Sequence, residues 1–190
     1  MNAQIRLGIK AGGNFSQLYV SGNETGINAD QYKGRFSYHF GGMLEYSLSN
    51  TFSLQPELMY INHGANLKDN NSFGMESGHV TLNTLQLPVN LKASFNVKNK
   101  KLFAYAGPYA AFNMYGRAKG KVNGTNESVE LYKDGSDMRR WDYGVGVGVG
   151  MEVNKFVFTF SNQFGLADIN GQENNKMKAG NLSLSVGYFF

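Results

Sequence analysis

Apolar and polar residues alternate with a period of two through most of this chain, and that period belongs to β-strands. It is cleanest from Trp141 to Val153. There Trp141, Tyr143, Val145, Val147, Val149, Met151 and Val153 occupy one face, and Asp142, Gly144, Gly146, Gly148, Gly150 and Glu152 the other. An unbroken stretch of this length exceeds the ~5–6 residues usual in soluble sheets. It suffices for the ~9–11 residues of a tilted strand that crosses a membrane.

Seven further segments follow the same rule. Residues 4–15 set Ile5, Leu7, Ile9 and Ala11 against Arg6, Gly8 and Lys10. Residues 36–48 set Tyr38, Phe40, Leu44 and Tyr46 against His39, Gly41, Met43 and Glu45. Residues 52–62 set Phe52, Leu54, Leu58 and Tyr60 against Ser53, Gln55, Glu57 and Met59. Residues 85–95 oppose Leu85, Leu87, Val89, Leu91, Ala93 and Phe95 to Gln86, Asn90, Lys92 and Ser94. Residues 156–166 oppose Phe156, Phe158, Phe160 and Phe164 to Thr159, Ser161 and Gln163, and residues 182–190 oppose Leu182, Leu184, Val186, Tyr188 and Phe190 to Ser183, Ser185 and Gly187. Residues 102–115 are ambiguous, and Phe103, Tyr105, Tyr109 and Ala111 are assigned to the outer face.

The connections alternate in length. Short turns fall at 49–51, 96–101 and 154–155, and long polar loops near 16–35, 64–80, 116–140 and 167–180. This layout predicts an all-β fold: an eight-stranded antiparallel up-and-down transmembrane β-barrel, with short periplasmic turns and long extracellular loops. It forms a single outer-membrane domain over residues 1–190. A lumen of eight strands is only wide enough for side chains. The glycine-rich, polar face therefore belongs inside and the aromatic face against lipid; a soluble lipocalin-like barrel would require the reverse. Phe52, Phe95, Phe103 and Phe156 near the short turns, with Trp141, Tyr143 and Tyr188, are assigned to the interfacial aromatic girdles. Pro56, Pro88 and Pro108 fall inside strands, so each is expected at a bulge or a weakened pairing, with Asn90 opposite Pro108.

Composition narrows the function classes. No cysteine is present, which removes disulfides, thiolate metal sites and cysteine nucleophiles. Charged residues are 17% of the chain, and the net charge of +4 is scattered, so nucleic acid is not an expected partner. No secretory signal is legible at the start, and the expectation is a mature form that resides in a bacterial outer membrane.

Several short motifs occur in order along the chain: Gly8-Ile9-Lys10-Ala11-Gly12-Gly13-Asn14-Phe15-Ser16, Gln55-Pro56-Glu57-Leu58, Leu85-Gln86-Leu87-Pro88, Ala106-Gly107-Pro108-Tyr109, Trp141-Asp142-Tyr143-Gly144, Phe164-Gly165-Leu166-Ala167-Asp168-Ile169 and Gly187-Tyr188-Phe189-Phe190. In these the chain resembles the small porin-like outer-membrane β-barrels of Bacteroidota, the PorT-like outer membrane protein beta-barrel domain. The resemblance implies the location and the fold, and almost nothing about a substrate. It also implies that the terminal Phe190 is the aromatic signal read by the barrel-assembly machinery.

Candidate chemistry lies in the lumen. Arg6, Lys10 and Lys92 face Glu45, Glu57, Asp142 and Glu152, with Gln55, Asn90 and Gln163 between them. Buried charges need partners, so these residues are expected to form a plug of ion pairs; an ion path is the alternative. A rim enzyme acting on lipid would need a nucleophile, a histidine and a carboxylate together. His63 and His79 bracket a loop with Ser72, Glu76 and Ser77, but no diagnostic pattern is present, and no catalytic residue is assigned. The same histidines lack a diagnostic metal spacing, and no metal or cofactor is expected. The Gly144–Gly150 run lies within a strand and is no nucleotide loop. Loop 116–140 carries Arg117, Lys119, Lys121, Lys133, Arg139 and Arg140 with Glu127, Glu130, Asp134 and Asp137, and Val129, Leu131 and Tyr132 suit a short hairpin.

The leading expectation is a non-enzymatic structural or interaction barrel, or an accessory subunit of a larger outer-membrane complex. The alternative is a narrow porin or small-ligand binder. Expected partners are outer-membrane lipid and lipopolysaccharide, the assembly machinery, and another outer-membrane protein through loops 16–35 and 116–140.

Overall fold

The computed structural model describes residues 5–21, 32–67, 75–122, 125–130, 140–166 and 176–190. They form β1 (Ile5–Ser21), β2 (Tyr32–Ser47), β3 (Phe52–Leu67), β4 (Met75–Val97), β5 (Lys100–Val122), β6 (Thr125–Glu130), β7 (Trp141–Val153), β8 (Phe156–Gly165) and β9 (Lys176–Phe189). The hydrogen-bonded order is β4-β3-β2-β1-β9-β8-β7-β5, and β5 returns to β4. Eight strands thus close into an antiparallel barrel, which leaves no unpaired backbone edge at membrane depth. The ninth, β6, pairs with β5 from Arg117↔Glu130 to Val122↔Thr125, outside the closed ring.

The short turns have local causes. Ser49 Oγ accepts hydrogen bonds from the backbone N–H of Thr51 (3.2 Å) and of Phe52 (2.9 Å), which closes the β2–β3 hairpin. Asn154 turns the β7–β8 hairpin with φ at 56°, a left-handed conformation that asparagine tolerates. On the opposite side the strands outrun the sequence expectation, and parts of the long loops are strand. β4 and β5 are each 23 residues long, about twice what a crossing requires.

The outer face is apolar. Ile5, Leu7, Ile9, Phe40, Leu58, Leu91, Val149, Phe160 and Leu184 are all exposed. In water such a wall would be an aggregation surface; in hydrocarbon it is the matched solvent. Phe52, Phe95, Trp141, Tyr143 and Phe156 lie exposed on this wall, and Phe190 joins it at the end of β9. Tyr188 is partly covered by Phe156 and Phe190, whose ring centroids lie at 5.2 and 6.0 Å.

The structure corrects the facing of β5. Phe103, Tyr105, Tyr109 and Ala111 point into the lumen, where Phe103 is 5% exposed, while Leu102, Ala104, Ala106 and Ala110 face outward. Phe103 is therefore not an interfacial girdle residue. The reason is its neighbour: Phe103, Tyr105 and Tyr109 stand directly opposite Gly150, Gly148 and Gly144 of β7. A Cβ on Gly150 or Gly148 would lie 2.4 Å from the Phe103 ring or 2.5 Å from the Tyr105 ring, so the rings occupy the space these glycines leave.

The prolines cause no slip in register. The β4–β5 ladder runs from Pro88↔Tyr109 to Leu91↔Ala106 without the pairs between them. Pro108 therefore stands opposite Val89, and Asn90 opposite Gly107, one residue from the expected facing. The bonds missing beside a proline reflect its lack of an N–H. The register shifts lie elsewhere, between Gly34 and His39, Met75 and Ser77, and Asn83 and Thr84.

Candidate functional site: the barrel lumen

The lumen is built by one packing rule. A large inward side chain stands opposite a glycine on the next strand. Besides the three pairs of β5 and β7, Met43 stands opposite Gly8, Met59 opposite Gly41 and His39 opposite Gly12. A Cβ on Gly8 would lie 2.7 Å from Met43 Cε, and one on Gly12 the same distance from His39 Cε1. Glycine at these positions lets eight strands hold long polar groups at interior packing density.

The layer nearest the short turns is an ion-pair cluster centred on Glu45. This carboxylate, 1% exposed, accepts from Arg6 Nη2 at 2.9 Å and from Lys92 Nζ at 2.9 Å, with Lys101 Nζ at 3.9 Å. Arg6 stands directly opposite Glu45 in the β1–β2 ladder and also grips Glu152 through two bonds of 2.6 and 2.9 Å. Lys92 has no exposed surface at all. Its ammonium lies 4.2 Å from the Phe103 ring centroid and 5.6 Å from that of Phe189, and the Arg6 guanidinium lies 4.1 Å from Phe189. Cations over ring faces are stabilised further when water is excluded.

Above it lies a second pair. Lys10 Nζ donates to Glu57 Oε2 at 2.6 Å, and Gln55 Nε2 donates to Glu57 Oε1 at 2.7 Å. Lys10 sits on β1 and Glu57 on β3, so the pair spans β2, where Gly41 stands opposite Lys10 and Met43 opposite Glu57. The third layer is built around His39. His39 Nδ1 lies 2.7 Å from Asn14 Oδ1, and His39 Nε2 lies 2.8 Å from Ser185 Oγ. The amide oxygen can only accept, so Nδ1 carries the proton and, in the neutral ring, Nε2 accepts from Ser185. Ser183 Oγ also donates to Asn14 Oδ1 at 2.7 Å.

The structure thus places Arg6, Lys10, Glu45, Gln55, Glu57, Lys92 and Glu152 inside the barrel in two clusters. Asp142 and Gln163 also face the lumen, half-buried and nearer the long loops. Lys101, Phe189, Asn14 and Ser185 belong to these layers without having been singled out as site residues, and Phe103 joins them from the girdle to which the alternation assigns it. Phe189 was legible, because the alternation from Leu182 onward turns it inward. The pairing of aromatic rings with facing glycines on β7 was not, because it depends on which strand closes against β5.

The side chains of His63, Ser72, Glu76, Ser77 and His79, the residues weighed for rim chemistry, lie outside the described residues. Among the described residues no cluster of three or more His, Asp or Glu is placed to hold a metal ion. Among the described residues no helix is long and apolar enough to cross a membrane.

A closed antiparallel barrel with an apolar wall, a charged core and short turns at one end defines an integral β-barrel membrane protein. Residues 2–171 match the family described as outer membrane protein beta-barrel domain, and the chain belongs to that family. It is a bacterial outer-membrane β-barrel. No curated protein matches the chain. Among solved structures it is similar to Ail, the attachment invasion locus protein of Yersinia pestis, in its complex with the heparin analogue sucrose octasulfate. The identity is 16%, the TM-score 0.50, and all of both chains is covered. Neisserial surface protein A is similar at 12% identity and a TM-score of 0.48, over 97% of each chain. These likenesses bear on the fold alone.

Proposed function

We propose that this chain is a non-enzymatic outer-membrane interaction barrel, whose sealed lumen anchors a protruding extracellular sheet that docks another protein. The observation that carries this reading is the unequal height of the wall. β7 begins at Trp141, opposite Phe112, but β5 continues to Val122 with β4 on one side and β6 on the other. That extension is about 30 Å of strand at ~3.4 Å per residue. Among the described residues β6 pairs only with β5, so its other edge presents backbone donors and acceptors to a partner strand. The charged layers around Glu45 and Glu57 support a plug over an ion path, because paired ions and rings fill the cross-section. Kinship with the porin-like barrels of Bacteroidota, and a role as subunit of a larger complex, belong to the same reading.

The test is purification from native outer membranes in mild detergent, with mass spectrometry of what travels with the barrel. A stoichiometric partner that is lost on deletion of residues 120–135, with the barrel still folded, is the expected result. A lone barrel, or a partner that survives the deletion, refutes docking through this sheet.

A further inference from the structure

The protruding sheet has an outward face, and one extra residue decides what that face carries. Lower on β5 the odd positions Phe103, Tyr105 and Tyr109 are buried in the lumen. In the β4–β5 ladder Thr84 stands opposite Asn113, but Asn83 stands opposite Tyr115, so Met114 is an extra residue on β5. Such a bulge re-aims the strand beyond it. Asn83 shares the face of Leu85, which is exposed on the outer wall, so from Tyr115 onward the odd positions of β5 belong to the outside. Asn62 of β3 extends this row and donates to Asn83 Oδ1 at 2.7 Å. Tyr115, Arg117, Lys119 and Lys121 therefore share the outward face, and Gly116, Ala118 and Gly120 the inner one. Accordingly Lys119 is exposed and Gly116 buried.

The register also sets the height of these cations. Phe40, Tyr60, Leu85, Phe112 and Trp141 form one continuous outward row across β2, β3, β4, β5 and β7. The ring centroids of Phe40 and Tyr60 lie 5.2 Å apart, and those of Phe112 and Trp141 5.1 Å. An aromatic belt of this kind marks the membrane–water interface. The row of Thr81 and Arg117 lies about 14 Å beyond Leu85 along β4, and that of His79 and Lys119 about 7 Å further, at ~3.4 Å per residue. The Arg117 guanidinium lies 5.4 Å from the ring centroid of Tyr115, one row nearer the belt. Lys33 of β2 aligns through Asn66 and His79 with Lys119. Glu130 of β6 stands opposite Arg117, so Lys119 and Lys121 carry the excess charge. Their own ladder partners are His79, Ser128, Ser77 and Asn126, none of them acidic. Glu127 stands opposite Gly120, in the alternate row, and Glu76 falls in the register shift between Met75 and Ser77.

A face with excess cations just above a lipid-facing wall is complementary to phosphate. We infer that this face, with Arg117, Lys119 and Lys121, binds the phosphate groups of lipopolysaccharide in the surrounding leaflet. Continuity selects this source: the acyl chains of such a lipid lie against the apolar wall, and its phosphates then meet the cations directly above.

This site goes beyond docking through the β6 edge, because it lies on the face of the sheet and takes a lipid. The full chain, folded in zwitterionic micelles, is titrated by thermophoresis with lipopolysaccharide and with the same lipid stripped of its phosphates. The parent chain should lose about tenfold or more in affinity when the phosphates are removed. Lys119→Gln with Lys121→Gln should weaken binding of the phosphorylated lipid about 25-fold, at about fivefold for each cation near a membrane surface. Lys98→Gln with Lys100→Gln, which removes the same charge from exposed positions at the short-turn end, should leave it unchanged. Should the first double variant not fold, Lys119→Gln alone should cost about fivefold. Equal affinity for the two lipids, unweakened binding in the Lys119 variants, or an equal loss in the Lys98 and Lys100 variant overturns the site. Dextran sulfate bound in place of lipopolysaccharide assigns the face to a soluble polyanion and also overturns it. All these substitutions keep the backbone edge of β6, so loss of the lipid and loss of a protein partner are read apart.

Discussion

Glu45→Gln is the sharpest single perturbation of this barrel. It preserves the shape of the side chain while it removes the charge and turns one acceptor oxygen into an NH₂ donor. Glu45 serves Arg6 and Lys92 at 2.9 Å each, with Lys101 at 3.9 Å. The three cations do not suffer equally. Arg6 keeps both bonds to Glu152 and retains some solvent, and Lys101 lies at the rim. Lys92 is fully enclosed, and among the described residues no other carboxylate pairs with it. Removal of one partner from a buried ion pair costs about 3–5 kcal/mol. The Phe103 and Phe189 rings persist beneath the Lys92 ammonium, so the lower end, about 3 kcal/mol, is expected. That is more than a hundredfold in the folding equilibrium.

The assay is reversible urea unfolding in lipid vesicles, followed by the fluorescence of Trp141, the only tryptophan. The decisive comparison is the double variant Glu45→Gln with Lys92→Met. If the cost arises from a stranded lysine, replacement of that lysine by an apolar chain of similar length should restore most of the lost stability. The two changes would then be strongly non-additive. A loss below about 1 kcal/mol in the single variant, or additive effects in the double, would refute the plug as a paired ionic core.

Other predictions test separate parts of the reasoning. Gly150→Ala should destabilise by about 1–3 kcal/mol, because its Cβ meets Phe158 O at 2.3 Å and the Phe103 ring at 2.4 Å. Gly146→Ala, whose nearest neighbour is Gln163 Cγ at 3.5 Å, should be close to neutral; heat-modifiable gel mobility and urea midpoints compare the two, and equal effects would contradict the ring-on-glycine packing. The parent barrel should show no sustained conductance in planar bilayers, and large single-channel steps would mean that the ion pairs line a path and do not close it. Trp141 is 66% exposed on the outer wall at the level where β7 begins. Its emission should be quenched more by a nitroxide at the headgroup than by one at mid-chain, and the opposite order would misplace the barrel in the bilayer.

The period-two alternation by itself determined the strands, the short turns and the sign of the two faces. A one-residue step in a strand reverses the side-chain direction, so apolar and polar sets identify outside and inside wherever they differ clearly. Hence Arg6, Lys10, Glu45, Glu57, Lys92 and Glu152 were legible as lumen residues before any partner was known. Where the two faces do not differ clearly, the rule fails. On β5 one face reads Phe103, Tyr105, Tyr109, and the other Leu102, Ala104, Ala106 and Ala110. Both are mainly apolar, and bulk alone favoured the wrong side. Only closure of β5 against β7 decided it, because glycines 144, 148 and 150 then stand beside the three rings and supply the volume that they need. Partner choice among the charges was equally tertiary. Glu45 meets Arg6 from the adjacent strand but Lys92 from two strands away, and Lys10 of β1 reaches Glu57 of β3 across β2. Sequence spacing carries the direction of a side chain; the register and curvature of the closed barrel set how far it reaches and what it meets.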